Sequence, residues 1–198
     1  MTDYFEAVKT RRSHRNVKPE SPVSDDRIQE IVEFAVKHTP TAFNAQGGRV
    51  VLALGKHHEK VWDIVKDALK EVVPEKKWDK TAQKISMFKD SYGTVLFFND
   101  ESVLEKQQEK MPLYADKFAL WADQTQGMLQ HIVWTAFATE GIGASLQHYN
   151  PLIDEAIRDY FNLNESWTLH AQMPFGAIKE DPGEKSFEPL EKRLKVFK

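Results

Sequence analysis

The sequence predicts a layered α/β arrangement in which helices pack against a sheet of buried strands. Two short apolar runs, RVVLAL at residues 49–54 and TVLFF at residues 94–98, have the length and continuity of strands covered on both faces. Around them, apolar residues recur at intervals of three and four, which is the spacing of amphipathic helices. Strands separated by helices favour a fold in which the helices form layers on the sheet.

The first half of the chain contains four predicted helices with recognisable ends. Phe5 and Val8 share one face of a short helix that ends before Pro19. Ser24 is the predicted N-cap of the second helix. The buried stripes of the second and third helices consist of Ile28, Ile31, Val32 and Ala35, and of Trp62, Val65, Leu69 and Val72. Pro74 ends the third helix, and a charged fourth helix over residues 75–89 leads into the strand at 94–98.

The longest predicted helix covers residues 115–139. Its apolar residues occupy more than one face, as expected at the centre of a domain or at a subunit interface. Gly141 ends this helix, because glycine is common just beyond a helix C-terminus. Residues 144–149 then predict a short strand or a strand-like turn.

A further helix, a last strand and a tail complete the prediction. Asn150 is the expected cap and Pro151 the first residue of the helix. Its predicted buried face consists of Leu152, Ile153, Ala156, Ile157 and Tyr160. Residues 167–178 form the last predicted strand, and the charged tail at 181–198 has no core of its own.

Composition excludes several classes of function. Lys and Arg number 27 against 30 Asp and Glu, and the net charge of −3 disfavours nucleic acid and anionic membranes as partners. The absence of cysteine excludes disulfides, thiolate metal sites and cysteine nucleophiles, so redox chemistry requires a cofactor. No stretch approaches the roughly 20 apolar residues of a membrane span. We therefore expect one cytoplasmic domain over residues 1–198.

The segment RRSHR at residues 11–15 concentrates positive charge in this acidic chain. A basic turn of this kind is commonly just solvated. Alternatively, its guanidinium groups and the Ser13 hydroxyl bind a phosphate and the polyol attached to it, because arginine forms bidentate hydrogen bonds with phosphate.

The turn PTAFNAQ at residues 40–46 follows a predicted helix and precedes a strand. Proline, threonine and asparagine all favour turns, so the segment can be a plain loop. Asn44 and Gln46, however, would project to one side of an extended segment. Their amides both donate and accept, which suits the edge of a planar heterocycle.

The segment GIGASLQHYN at residues 141–150 can likewise be a helix stop with a connecting strand. Its Gly-x-Gly follows a helix rather than a strand, which excludes a Rossmann fingerprint. His57 and His58 are adjacent and lack a second histidine at zinc-helix spacing, so no metal site is predicted. The chain also lacks a G-x-S-x-G nucleophile motif.

The order and spacing of these three segments resemble the nitroreductase family of FMN-dependent oxidoreductases over nearly the whole chain. The YGTVLFFND strand and the LQHYN turn look most like the short copper-inducible or fungal fatty-acid-response subgroup. The resemblance implies an α+β fold of three layers, α/β/α, with a central mixed sheet. It also implies an obligate homodimer, with the long helix at the interface and FMN between the subunits.

The resemblance places the basic segment along FMN. Arg11 would face the phosphate, and Arg12 and Ser13 the ribityl chain and ring edge. Arg15 would face N1 and O2, where a fixed cation stabilises the negative charge of the reduced flavin. Further phosphate contacts are expected from the C-terminal tail, where the candidates are Lys185, Arg193 and Lys192.

The other two segments would meet the isoalloxazine ring. The partner chain is implied to contribute Pro40, Thr41, Asn44 and Gln46. Gln147, His148 and Tyr149 would pass beside N5, with backbone groups making the key hydrogen bond.

Two departures from the family pattern bear on the substrate side of the site. Many members have Pro-Trp after the glutamine, whereas this chain has Gly47-Gly48, so one wall is expected to be more open or differently shaped. Where bacterial relatives carry Glu-Gly beside N5, this chain has His148-Tyr149.

The implied activity is reduction of nitroaromatics, quinones or similar planar electrophiles by NADH or NADPH, in ping-pong exchange through one pocket. The flavin carries the chemistry, so no catalytic acid or base is expected. Two alternatives remain open: a flavin or quinone reductase, and a flavin-binding regulatory or lipid- and stress-response protein with slow turnover. Binding of nucleic acid by RRSHR is least favoured, since the rest of the chain is acidic.

Overall fold

A five-stranded sheet lies at the centre of the computed structural model, which describes residues 3–180 and 182–198. The strands are β1 (Val17–Lys18), β2 (Gly48–Leu54), β3 (Gly93–Asp100), β4 (Ile142–Ala144) and β5 (Trp167–Ile178). Their order is β1-β5-β3-β2, and β4 also pairs with β5. A mixed sheet was expected, but these strands all pair antiparallel. Within the described ranges, parallel pairing is confined to an isolated bridge between Ser13 and Ala144.

Helices cover both faces of the sheet. They are α1 (Tyr4–Thr10), α2 (Asp25–His38), α3 (Lys56–Val72), α4 (Glu75–Lys89), α5 (Glu101–Lys110), α6 (Phe118–Thr139) and α7 (Asp154–Phe161). Val95 and Phe97 of β3 belong to a core cluster with residues of α2 and α6. Leu96 and Phe98 belong to a second cluster with residues of α3, α4 and α7. Because successive strand residues point to opposite faces, these clusters form the expected three-layer α+β fold.

Most predicted elements are confirmed. The fourth helix and the last strand have the expected bounds. Ser24 caps α2, since its hydroxyl accepts a hydrogen bond from Arg27 N at 3.3 Å. The long helix begins three residues later than expected, because a 3-10 segment, Pro112–Lys117, precedes it. No helix in the described parts of the chain is long and apolar enough to cross a membrane.

The predicted start of the helix after residue 149 is wrong. It begins at Asp154, and turns occupy residues 150–153, with Leu152 N bonded to Tyr149 O and a cis Asn150–Pro151 peptide. Asn150 does not cap it: its Oδ1 accepts from Gln172 Nε2 at 3.4 Å. Of the predicted buried face, Ile153 and Ile157 are buried, whereas Leu152 and Tyr160 are exposed.

A buried histidine joins α3 to β3. Thr94 Oγ1 accepts from Trp62 Nε1 at 2.9 Å and lies 2.8 Å from His58 Nδ1. His58 Nε2 lies 2.9 Å from Lys89 O. Since a carbonyl only accepts, Nε2 carries the proton and Nδ1 accepts from the Thr94 hydroxyl. Burial lowers the pKa of His58, so the imidazole of the folded protein is neutral at pH 7.

We expect this histidine to make stability depend on pH. Its folded pKa lies below the unfolded value of about 6.5, so the unfolded chain binds the proton first. The stabilisation is therefore fully present above that pH and declines as the pH falls below it. Urea unfolding should show that the free energy of unfolding falls less between pH 7.5 and pH 5.5 in His58→Gln than in the wild type. His57→Gln, which changes the exposed neighbour, should behave like the wild type; equal losses in all three proteins contradict the assignment.

Candidate flavin site

The basic segment at residues 11–15 is held against β4. His14 N donates to Ala144 O at 2.9 Å, next to the parallel bridge between Ser13 and Ala144. A Cβ at Gly143 would lie 3.0 Å from His14 Cβ, so this close approach favours glycine. Ser13 and Arg15 are exposed beside this contact.

Arg11 presents a buried donor that lacks a partner. Its guanidinium lies over the Trp134 ring of α6, 4.5 Å from the centroid. Among the described residues, Arg11 Nε is buried without a hydrogen-bond acceptor. Burial, together with the nearby charge of Arg12, lowers the pKa of Arg11. An anion at this position would satisfy the donor and offset the cost of burying the charge.

Trp134 was not among the predicted site residues. Besides stacking on Arg11, its Nε1 donates to Ala144 O at 3.2 Å, the carbonyl that also binds His14 N. It thus links α6, β4 and the basic segment. A tryptophan in an apolar helix predicts only core packing, so the sequence offered no signal for this role.

The first residues of the C-terminal tail contact the basic segment. Arg12 Nη2 donates to Gly183 O at 2.6 Å, and Lys185 borders the same groove, of about 1010 Å³, as Arg12. Arg193 is exposed beyond the 3-10 turn Leu190–Lys192, and Lys192 Nζ lies 3.7 Å from Glu188 Oε2. Of the three tail cations, Lys185 is the one that borders the Arg12 groove.

Residues 144–148 extend β4 along β5 in a constant register. Gln147 exchanges both backbone hydrogen bonds with Gln172, and Ser145 N donates to Pro174 O. In an antiparallel pair, the residues between such bonded positions direct their N–H and C=O groups to the opposite edge. The peptide groups of Leu146 and His148 therefore face away from β5, on the edge where Ala144 O binds His14 N. We call the backbone N–H and C=O groups of Leu146 and His148 the open edge.

The side chains of the three residues predicted to pass beside the ring differ in their placement. His148 is exposed, whereas the Gln147 side chain is buried and donates to Ser145 Oγ at 3.1 Å. Tyr149 N donates to Gln172 Oε1 at 2.8 Å. Its ring packs edge-on against Trp62 in the second core cluster, and burial raises its pKa to about 12. Tyr149 therefore points into the core rather than to the open edge.

The turn at residues 40–46 is not the extended segment that was expected. Ala42–Asn44 form a 3-10 turn, and Phe43, Asn44 and Gln46 have positive φ angles of 52°, 55° and 54°. Gln46 N donates to Thr41 Oγ1 at 3.0 Å, which closes the turn. Asn44 and Gln46 remain exposed, as does Pro40, and Gln46 Nε2 lies 3.4 Å from Asn44 O.

Within one chain, this turn and the basic segment lie at different levels of α6. Phe43 of the turn packs near Trp121, with ring centroids 6.0 Å apart, whereas Arg11 lies over Trp134. Thirteen residues at 1.5 Å each separate these tryptophans by about 20 Å along the helix. Within one chain, the two parts of the predicted site are therefore separate.

The two glycines that follow Gln46 are closely packed. A Cβ at Gly47 would lie 3.4 Å from Leu104 Cδ1, and one at Gly48 would lie 3.3 Å from Leu129 Cδ2. Leucines of α5 and α6 thus lie against the two glycines.

Comparison with known proteins identifies relatives of this fold. The sequence model of the protein family described as Nitroreductase family matches residues 8–177 of this chain. HBN1 of Saccharomyces cerevisiae is 38% identical over 186 residues, which cover 93% of this chain and 92% of HBN1. Nitroreductase CinD from Lactococcus lactis, solved with chloramphenicol, has a TM-score of 0.90 at 40% identity and covers 99% and 100% of the two chains. A nitroreductase from Desulfitobacterium hafniense with bound FMN shares the fold, with a TM-score of 0.72, 16% identity and full coverage of both chains.

The match to HBN1 and CinD extends over nearly the full length of each protein, in agreement with the resemblance to short members. The family model begins within α1 and ends within β5, so it includes the basic segment, the turn and the open edge. The chain belongs to the nitroreductase family.

Proposed function

We propose that the protein is an FMN-dependent NAD(P)H oxidoreductase that reduces nitroaromatics, quinones or similar planar electrophiles by ping-pong exchange. The observation that carries the proposal is Arg11 Nε, which is buried without an acceptor among the described residues and whose guanidinium lies over Trp134, the tryptophan that binds Ala144 O. A phosphate would supply the acceptor that this donor lacks, and the backbone groups of the open edge suit the polar edge of a flavin ring. The fold accommodates FMN in the Desulfitobacterium hafniense protein.

The residues present fit FMN in the orientation that the family implies. Arg11 binds the phosphate, and Lys185 is the tail cation best placed to join it, since it borders the groove next to Arg12. Ser13 and Arg15, both exposed, reach the ribityl chain and the N1 and O2 side of the ring. The open edge supplies the backbone hydrogen bond near N5. When bound, FMN would supply the hydride-transfer chemistry. These residues would orient FMN, and the cations among them would stabilise its negative charge.

The complete site requires a second protomer. The turn that carries Asn44 and Gln46 lies about 20 Å along α6 from the tryptophan beneath Arg11, so one chain does not bring them to one ring. On α6, Leu120 is 54% exposed and Met128 is 39% exposed. A homodimer that buries this face of α6 would place the turn of one protomer over the basic segment of the other.

The ligands of CinD support the class of substrates. Its structures contain chloramphenicol and 4-nitrophenol, which are both nitroaromatic, and nicotinic acid, which has the pyridine ring of the nicotinamide group. We infer that the present protein accepts planar rings of the same kinds.

A spectrum, a sizing experiment and a turnover assay test this function. The purified protein, supplied with FMN, should be yellow and dimeric, and should oxidise NADH or NADPH with a nitroaromatic or a quinone as acceptor. A colourless protein that does not take up FMN refutes the cofactor. A yellow protein that turns over with neither class of acceptor favours the regulatory alternative instead.

Replacing Arg15 with alanine should weaken FMN binding about tenfold and lower the midpoint potential of the bound flavin. The reason is that a cation near N1 and O2 stabilises the reduced flavin more than the oxidised one, and about 1.4 kcal/mol corresponds to a factor of ten. Redox titration against a reference dye measures the potential. Lys18→Ala, which removes an exposed charge from β1, serves as the control. Equal potentials for Arg15→Ala and wild type would exclude the proposed role.

A further inference from the structure

Arg49 holds the end of the turn that carries Asn44 and Gln46. Its Nη1 donates to Gln46 O at 2.7 Å and to Gly48 O at 3.0 Å, while its Nη2 donates to Asp100 Oδ2 at 2.9 Å. The planar guanidinium therefore joins the turn to the end of β3.

Asp100 is itself anchored. Its Oδ1 accepts from Ser102 Oγ at 2.7 Å, from Ser166 Oγ at 2.8 Å and from Ser102 N at 3.2 Å. Burial alone would raise the pKa of Asp100, but the hydrogen bonds from both serines and the charge of Arg49 hold it below the usual value. The carboxylate is thus charged at neutral pH and fixed between β3 and the start of α5.

The turn needs an external restraint because its backbone is strained. Phe43, Asn44 and Gln46 adopt left-handed φ angles, each of which costs a non-glycine residue on the order of 1–3 kcal/mol. Such residues stay in place only where their surroundings determine them.

We propose that Arg49, held by Asp100, is a positioning residue that keeps Asn44 and Gln46 in the geometry required to contact the flavin of the second subunit. The inference rests on the proposed function for the flavin contact but not for the restraint of the turn. Without the guanidinium fork, the turn occupies its binding geometry for a smaller fraction of the time, and the apparent affinity for FMN falls by that fraction.

Three variants test the proposal in the full-length protein: Arg49→Met, Arg49→Lys and Asp100→Asn. Hydrogen exchange of the Gln46 backbone N–H, which donates to Thr41 Oγ1, reports on the turn when it is measured without flavin. Titration with FMN reports on the site. Arg49→Met should exchange at least tenfold faster and bind FMN about tenfold more weakly. Arg49→Lys should recover part of both losses, because an ammonium group reaches Gln46 O or Asp100 but lacks the fork. The exchange rate and the FMN affinity of Asp100→Asn should both lie between those of Arg49→Lys and Arg49→Met.

A matched control is Arg27→Met, which removes the arginine of α2 that binds Glu30 and Glu140 far from the turn. It should leave both measurements unchanged. A double-mutant cycle then separates positioning from general destabilisation. In a Gln46→Ala background, Arg49→Met should weaken FMN binding by a clearly smaller factor than in the wild type, since it acts through that side chain.

The outcomes that overturn the proposal are distinct from those that overturn the proposed function. An unchanged hydrogen-exchange rate of the Gln46 backbone N–H in Arg49→Met overturns the restraint, regardless of the FMN affinity. Faster exchange with unchanged FMN affinity, or a full effect in the Gln46→Ala background, overturns the positioning role. A wild-type protein that binds no FMN overturns the proposed function, while the exchange measurement still tests the restraint. If Arg49→Met does not fold, Arg49→Lys and Asp100→Asn carry the same comparisons.

Discussion

Replacing Arg11 with methionine is expected to weaken FMN binding by about ten- to a hundredfold. A hydrogen bond to a charged group contributes about 1.5–3 kcal/mol, and methionine retains contact with the Trp134 ring while removing the donor and the charge. Fluorescence titration with FMN measures the loss. Lys18→Met, which removes an exposed charge from β1, should bind FMN like the wild type.

Riboflavin, which lacks the phosphate, tests what Arg11 binds. Its affinity should be similar in Arg11→Met and in the wild type, because the remaining contacts to the ring and the ribityl chain are unchanged. An equal loss of affinity for both flavins would mean that Arg11 supports the site structurally. Retained FMN affinity would remove the anion site that carries the proposed function.

Replacing Phe97 with alanine should lower the free energy of unfolding by about 3–5 kcal/mol. Phe97 is fully buried in the middle of β3, within the cluster that joins the sheet to α2 and α6, so its loss leaves a cavity. Urea unfolding measures the change at one fixed protein concentration, so that any contribution of the proposed homodimer is the same in each comparison. Phe187→Ala, at a side chain that is 74% exposed, should change stability by less than about 0.5 kcal/mol. A loss below about 1 kcal/mol in Phe97→Ala would contradict this view of the core.

Periodicity predicted most elements because burial repeats with the geometry of the backbone. The charged helix α4 and the strand β5 have the expected bounds. Helix α5 was missed, since ESVLEKQQEK has no apolar stripe and buries only Leu104. Its start depends on Asp100, whose side chain accepts from Ser102 N. A cap at the end of a strand is hard to recognise when the helix that follows lacks a pattern.

Local signals failed where a distant side chain competed. Asn150-Pro151 is a standard helix start, but Asn150 Oδ1 binds Gln172, which is distant in sequence, and the helix begins four residues later than the cap that was expected. The side chain of Tyr149, a residue that the resemblance places beside the ring, packs with Trp62. The backbone contact of this segment with the flavin stays a prediction of the family resemblance.

The order of RRSHR, PTAFNAQ and LQHYN in the sequence was enough to predict the family, and apolar strands separated by amphipathic helices were enough to predict the layers. Those properties depend on residue type and spacing, which are local. The partners of Arg11 and Arg49 depend on the tertiary structure. Trp134 lies on α6 and Asp100 at the end of β3, and the packing of the sheet brings each one to its arginine. Contacts between residues so far apart in sequence are decided by the packing of the core, not by any local pattern.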